Sequence, residues 1–582
     1  MIGSILLTIP LFISSPSARA AELPGEGALG GGSLQVTDDL DFRYYHYPPE
    51  QQLPGFEDRL VQDYIEQTNR LNLLAVNGTL SIGAQVDEVA LLLNRYILDG
   101  TLYRSWPLYD ESLLSPSPDV FLTLEKLYLQ QRWARLELTV GDTYASFGRG
   151  LALNIVKNTD IDIDTSIRGV KAVFRGDRSD VTLVTGLSNR QQVSQDNRNL
   201  DIERDIPHMV TGLRGEIFGL GPVNLGGHGV LYRFGRSLDD GNGLLRYGEP
   251  MDAAIAGATV DMAGVAGVDW FVEGDVMRLG EDLRLDGRPL AYAAYGSASA
   301  YPGPFVVLVE AKRTRDTERL NTYVSGASWE VASVPTLEFE RVITEDSSAA
   351  VNSNDLAALK VRVDYALKPG EILPYVSVAA MRDCDLGGLH FNRTAETILH
   401  PIGGLEVYGA HNTLQLHGGY RMDRRDAADA TGGLWCEPPE DADELPADLG
   451  ADGLAHLDLD VHLALFGDEG LELALGGRSF HWGENAQQQQ DFLETSNTLT
   501  WLHGEALALT LFQDWSNNPL IDSTGNITEH TYGAVELQWK ATPAVVVRAF
   551  YGAYKAGIHC SGGQCRSLPG FEGARLSVSG TL

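Results

Sequence analysis

The sequence predicts an all-β fold: a transmembrane antiparallel β-barrel of about 24 strands, within a range of 20 to 26, with short periplasmic turns and long extracellular loops. Three observations predict it. Apolar and polar residues alternate with a period of two through most of the chain, the pattern of strands that present one face to each side of a sheet. The connections between these segments alternate between short Gly/Pro-rich turns and long polar loops. No run of about 20 apolar residues follows the first few residues, so strands and not helices must do any membrane crossing.

The elements follow in order. Ile5 to Ile13 is a short apolar run followed by Ser14-Ser15-Pro16 and the small-x-small triplet Ala18-Arg19-Ala20, the pattern of a secretory signal peptide over residues 1–20. Residues 21–72 form an expected N-terminal periplasmic or lumen-filling segment: a glycine-rich leader, an aromatic extended stretch at Phe42 to Pro49, and a short amphipathic helix around Leu60, Val61, Tyr64 and Ile65. Its Gly25-Glu26-Gly27-Ala28-Leu29-Gly30 lacks the preceding strand that a dinucleotide site needs. The barrel is expected over 73–582, with a first strand near Leu74 to Gln85 and a last one from Gly573 to Leu582.

Between them the dyad is plain in Ala134 to Val140, Val361 to Tyr365, Leu457 to Leu463 and Gly533 to Trp539. Short turns are expected near Gln131, Gly176, Gly219 to Pro222, Ala263 to Gly267, Tyr301 to Pro304, Ser333 to Pro335, Lys368 to Gly370, Gly409 to Asn412, Gly467 to Gly470, His503-Gly504 and Thr542-Pro543. Those eleven hairpins and the two terminal strands make about 24, an even number as single-chain bacterial barrels have. Trp133, Tyr301, Trp501 and Trp539 lie near turns and suit an interfacial girdle. A propeller or sandwich array would need a repeat of roughly 40 to 50 residues, and none is present.

One motif carries a resemblance. Gly141-Asp142-Thr143-Tyr144-Ala145-Ser146-Phe147-Gly148-Arg149-Gly150-Leu151, followed by Arg168-Gly169, resembles a largely uncharacterised family of bacterial outer-membrane, porin-like β-barrel proteins with a G-D-x-Y-x-x-F-G-x-G-L … R-G signature. Asn69-Arg70-Leu71 is similar to the start of that family's first strand. The resemblance implies fold and outer-membrane location and names no solute. The glycines of the motif allow a tight inward fold, so Tyr144 to Thr165 is expected to tuck into the barrel together with the N-terminal segment and narrow the pore.

Charge and chemistry restrict function. Lys and Arg number 44 against 79 Asp and Glu, a net charge of −35, which excludes a general nucleic-acid binder. There is no GxSxG elbow, HExxH helix or P-loop, so no enzyme and no cofactor is expected. Arg168, Lys171, Arg362, His456, Asp458, Asp460 and His462 are the expected pore-lining residues. The last four lie on one face of one strand, where the spacing along the strand, roughly 6 to 7 Å, is too wide for one metal ion without help from neighbours. Asp160, Asp162 and Asp164 similarly suit a solvated acidic face better than a calcium site. Cys384, Cys436, Cys560 and Cys565 are disulfide candidates in an exported chain, with three connectivities open. The expected partners are outer-membrane lipid and lipopolysaccharide, small polar solutes, and an unidentified periplasmic or surface protein. The expected function is a porin-like channel for passive or selective passage of small polar solutes, or alternatively a plugged barrel acting as a surface receptor or scaffold through its loops.

Overall fold

A computed structural model describes residues 21–22, 32–45, 59–61, 64–92, 96–98, 101–103, 120–158, 163–189, 208–234, 237–239, 245–247, 251–280, 289–315, 317, 337, 356–383, 394–427, 451–481, 491–517, 530–554, 557–561, 564–568 and 571–581. Twenty-four strands form one closed antiparallel sheet. They are β1 (Ser33–Tyr45), β2 (Tyr64–Asn77), β3 (Leu80–Leu92), β4 (Val120–Arg132), β5 (Leu136–Thr143), β6 (Ser166–Arg175), β7 (Ser179–Asn189) and β8 (Met209–Leu220). Next come β9 (Val223–Phe234), β10 (Met251–Val265), β11 (Val268–Leu279), β12 (Leu290–Ala300), β13 (Phe305–Arg315), β14 (Leu356–Tyr365), β15 (Ile372–Asp383) and β16 (Thr394–Tyr408). The last third is β17 (Thr413–Ala427), β18 (Ala451–Ala464), β19 (Glu469–His481), β20 (Phe492–His503), β21 (Leu507–Ser516), β22 (His530–Thr542), β23 (Val545–Tyr554) and β24 (Phe571–Thr581).

Each strand pairs with its sequence neighbours, and β24 closes on β1 from Thr37↔Thr581 to Tyr45↔Gly573. The seam is reinforced on the inner face, where Asp41 accepts from Arg43 Nε at 2.8 Å and Arg575 Nε at 3.0 Å, and Ser579 donates to Asp39. At one end of the barrel the turns run from two residues (78–79) to six (366–371); at the other the connections run from ten (280–289) to forty (316–355). Gly78, with φ at 58°, supplies the left-handed residue that lets β2 turn into β3.

The wall begins earlier than the sequence suggested. Residues 33–45 and 64–72 are barrel wall and not a periplasmic or lumen segment, and Leu60, Val61, Tyr64 and Ile65 lie in strand and not helix. The apolar rhythm that marks a strand is broken there, because Asp38, Gln67 and Asn69 share the outward side with Leu34, Val36, Leu40 and Phe42. Backbone pairing decides instead: without β1 and β2 the edge of β3 and that of β24 would lie open in hydrocarbon, where nothing satisfies a bare N–H or C=O. The segment expected as one strand at Leu74 to Gln85 contains the turn at Gly78. The turn expected at Ser333 to Pro335 lies outside the described residues, inside the connection between β13 and β14, which pair directly. One missed hairpin and one extra hairpin offset each other, which is why the count agrees.

The two faces of the wall follow the pleat. Along β11, Trp270, Val272 and Val276 are exposed on the outside while Glu273, Asp275, Met277 and Leu279 are buried inside. Leu129, Leu183, Leu213, Leu231, Val361, Val378, Leu457, Leu511 and Leu537 continue the outward apolar band around the barrel, as lipid contact requires. Trp133, Tyr301, Trp501 and Trp539 are exposed near the short turns, where a girdle belongs. No helix of the described residues is long and apolar enough to cross a membrane. A closed 24-stranded sheet, apolar outside and polar along much of its inside, is a protein of the bacterial outer membrane.

Deleting residues 33–45 therefore removes a wall strand and not a leader. The variant is expected to lose the compact, heat-modifiable band that a folded barrel gives on unboiled electrophoresis, whereas deleting residues 23–31 is expected to keep it.

Candidate functional site

The connection from β5 to β6 folds into the barrel instead of away from it. Ala145–Phe147 and Leu153–Ile155 pair as a small antiparallel hairpin, in register from Ala145↔Ile155 to Phe147↔Leu153. Phe147, Leu151, Ala152, Leu153 and Ile155 are at most 1% exposed, and they pack in one apolar cluster with inward residues of β6 to β16, among them Val184, Val210, Tyr232, Ile255, Met277, Leu356 and Ile398. An apolar lining would be costly in a water-filled lumen; the loop removes it from water, roughly 25 cal/mol for each Å² covered. Tyr232 Oη donates to Ala152 O at 2.6 Å and pins the hairpin to β9.

Each residue type of the motif has a local reason. Gly141, with φ at 103°, lies so close to β4 that a Cβ would be 2.0 Å from Leu127 O. Asp142 ties four segments: it accepts from Leu127 N at 2.8 Å, Ser166 Oγ at 3.0 Å, Arg168 Nε at 3.2 Å and Asn189 Nδ2 at 2.9 Å. Tyr144 donates to Asp164 at the far end of the loop, Lys126 pairs with the same carboxylate, and Lys157 Nζ lies 3.2 Å from it. Burial pushes the Tyr144 hydroxyl up and the Asp164 charge adds to the shift. Burial also pushes Asp164 up, but Lys126, Lys157 and the bonds from Lys126 and Tyr144 outweigh it and hold the carboxyl below its usual range. Phe147 fits over Gly212, where a Cβ would lie 2.8 Å from its ring. Gly148 and Arg149 turn over the wall carboxylate Glu273, which accepts from Arg149 N at 2.5 Å, and the Arg149 guanidinium sits 4.9 Å from the Phe271 ring centroid.

Beneath that turn lies a buried charged group on the inner wall. His228 of β9 contacts Asp275 of β11 through Nε2 at 2.5 Å and Arg214 Nη1 of β8 through Nδ1 at 3.2 Å. Arg214 Nη2 also donates to Glu216 at 2.8 Å and Thr259 Oγ1 at 3.1 Å. The group needs Gly257 of the intervening strand, because a Cβ there would sit 1.9 Å from Asp275 Oδ1. One ligand-type atom each from His228, Glu273 and Asp275 lies within 4.8 Å of the other two.

The expected pore-lining residues divide. Lys171 is on the inner face, but its Nζ donates to Tyr144 O at 2.7 Å and so anchors the loop. Arg168 is a correction: it shares the side of Val170 and Phe174, so it faces outward, paired with Asp142 at the loop end of the wall. A one-residue change of phase moves a side chain through the wall, and nothing in the local sequence marked which phase β6 takes. Arg362 is inward, bonded to Asp364 and Glu406 and lying 3.9 Å over the Tyr375 ring. His456, Asp458, Asp460 and His462 all take the inward phase of β18. His456 Nε2 meets His400 Nε2 of β16 at 2.9 Å, and Asp458 lies 3.3 Å from His456 Nδ1 and 3.4 Å from His417 Nε2 of β17. Cys560 and Cys565 are register partners in the backbone of a small ribbon on the loop side, while Cys384, Cys436, Asp160 and Asp162 lie outside the described residues, as do residues 1–20.

Sequence reasoning missed Arg214, His228, Glu273 and Asp275. The available signal was Val272-Glu273-Gly274-Asp275-Val276, two carboxylates on one side of a strand whose other side carries Trp270, Val272 and Val276.

The fold and this site define an outer-membrane β-barrel with an inward-folded loop. A family model described as "Family of unknown function (DUF6029)" matches residues 50–207. No curated protein matches the chain. Among solved structures, the ferric enterobactin receptor PfeA of Pseudomonas aeruginosa is similar over 94% of this chain and 81% of its own, at 9% identity and a TM-score of 0.45. The copper transporter OprC is similar over 95% and 80%, at 11% identity and 0.45. OpdK of Pseudomonas aeruginosa is similar over 67% and 94%, at 13% identity and 0.34.

Two measurements check the loop. Phe147→Ala empties the gap over Gly212 and is expected to weaken docking by about 3 kcal/mol, seen as faster protease cleavage within residues 144–165 of the folded barrel. Because Asp164 is held below its usual range, its contribution is complete above about pH 4 and is lost as the pH falls through the lowered value. The same cleavage is therefore expected to quicken in acid-pulsed wild-type protein, and Asp164→Asn is expected to cleave quickly without the pulse.

Proposed function

We propose that this protein is a porin-like channel that passes small polar solutes across the outer membrane and catalyses no reaction. The observation that carries the reading is the unequal inner wall. The inward loop covers the apolar loop end of the inner wall on β6 to β16, and nearer the short turns the described residues leave a polar arc over β14 to β19 inside the closed sheet. On that arc the side chains of Arg362, Glu406, His462 and Glu472 are 31%, 24%, 41% and 51% exposed. Charged side chains with that much room on the inner face support a hydrated lumen at this end of the barrel.

The loop then acts as a constriction that sets pore width, and the lining charges act on what passes. Arg362, Glu406, Asp458, Asp460 and Glu472 give this arc more carboxylates than cations, which favours cations or neutral polar solutes over anions. The outward apolar band and its aromatic girdle contact lipid and, in the outer leaflet, lipopolysaccharide.

Conductance of the refolded, inserted protein in a planar bilayer under a salt gradient tests the reading. Stable steps with a cation-selective reversal potential are expected, larger steps after deletion of residues 145–155, and a less cation-selective potential in the Asp460→Asn, Glu472→Gln variant. Silence from protein shown by its heat-modifiable mobility to be folded would refute the channel and favour a plugged receptor.

A further inference from the structure

We infer that His228, Glu273 and Asp275 form a binding site for a divalent transition-metal cation on the inner wall, under the inward loop. This goes beyond the channel reading and stands without it.

The first ground is the burial of charge without enough partners. The side chains of His228 and Asp275 are each 0% exposed, and Glu273 is a 0% exposed residue. Glu273 Oε2 accepts from Arg149 N and Asp275 Oδ1 contacts His228, yet the second oxygen of each carboxylate, Glu273 Oε1 and Asp275 Oδ2, is buried with no hydrogen-bond partner among the described residues. A buried ionised carboxylate without a partner costs several kcal/mol, so such groups are paired, protonated or bound to metal. The nearby cation, Arg214, already bonds Glu216 and Thr259 and meets the site only through His228 Nδ1. Glu273 and Asp275 thus bring two carboxyl groups, each with one unpartnered oxygen, to a single imidazole. A divalent ion would give Glu273 Oε1 and Asp275 Oδ2 the partner they lack.

The second ground is the donor set and its arrangement. One imidazole nitrogen and two carboxylates are ligands suited to Zn²⁺ and its first-row neighbours. Glu273 and Asp275 stand two apart on β11, and His228 reaches them from β9 across Gly257, whose missing Cβ leaves the space that Asp275 Oδ1 and His228 Nε2 occupy. Ligands at about 2.1 Å around a tetrahedral ion are about 3.4 Å apart, so atoms now within 4.8 Å need only modest side-chain rotation to close on it. For His228 Nε2 to bind the ion, the ring proton moves to Nδ1, and Arg214 Nη1 gives up that nitrogen. Because Glu273 also accepts from Arg149 N, the ion and the loop share one carboxylate, and binding at the site is linked to loop docking.

The test uses the full chain refolded in detergent, treated with a chelator, dialysed against ZnCl₂, and analysed for zinc after desalting. About one zinc per chain is expected in the wild type. In Glu273→Gln and Asp275→Asn the affinity is expected to fall by roughly tenfold or more, with heat-modifiable mobility confirming the folded barrel, and Asp177→Asn, at an exposed short turn, is expected to bind as the wild type does. Co²⁺ in place of zinc is expected to give visible absorption bands that the two site variants lack. Wild-type protein that retains no zinc, or site variants that retain as much as the wild type, would overturn the proposal. Should the single variants fail to fold, His228→Gln serves the same comparison.

Discussion

Hydrocarbon offers no hydrogen bonds, and the whole architecture depends on that. A sheet in lipid has to close, so the strand that ends the described chain must find the strand that begins it, and nine residue pairs from Thr37↔Thr581 to Tyr45↔Gly573 join them. Closure is enforced more strongly than side-chain pattern. It draws in β1 and β2 although Asp38, Gln67 and Asn69 lie on their outward side, and it pairs β13 with β14 although forty residues separate them (316–355). The inner-face bonds of Asp41 to Arg43 and Arg575 then fasten the seam from the lumen side.

Closing 24 strands creates a second problem, which is what to do with a wide interior. This chain divides it. On β6 to β16 the loop end of the inner wall is apolar, with Val184, Ile255, Met277 and Leu356, and the loop from β5 to β6 supplies Phe147, Leu151 and Ile155 to cover it. The cover is held by charge at its base, where Tyr144, Lys126 and Lys157 converge on Asp164, and by backbone at its tip, where Glu273 takes Arg149 N. Nearer the short turns, β14, β16, β18 and β19 keep Arg362, Glu406, His462 and Glu472 partly exposed. A membrane barrel thus carries a small hydrophobic core of its own, built against the apolar part of its inner wall.

The spacing of the turns and the dyads of β5, β14, β18, β22 and β24 were legible in the sequence because each is set by local chemistry: glycine or proline at a turn, alternation along a strand. The glycines at 141, 148 and 150 signalled an inward fold, and the structure has one there. The phase of β6 was not legible. Arg168 and Lys171 looked equally polar, yet one faces outward to Asp142 and the other inward to Tyr144. Of the three histidines near Asp458, the sequence singled out only His456, on the same strand; His417 and His400 come from the two preceding strands.

By itself, the sequence determined the class of fold, most of the short turns and the alternation of the wall strands, because these depend on neighbours two to four positions apart. Only the tertiary structure decided where the wall begins, which arc of the lumen the loop covers, and that Arg214, His228, Glu273 and Asp275 meet at one point. Those outcomes depend on register between strands tens of residues apart, on closure, and on the space that Gly257 and Gly212 leave for neighbouring strands and for the loop. A contact between strands is a property of their pairing, and no single strand's sequence contains it.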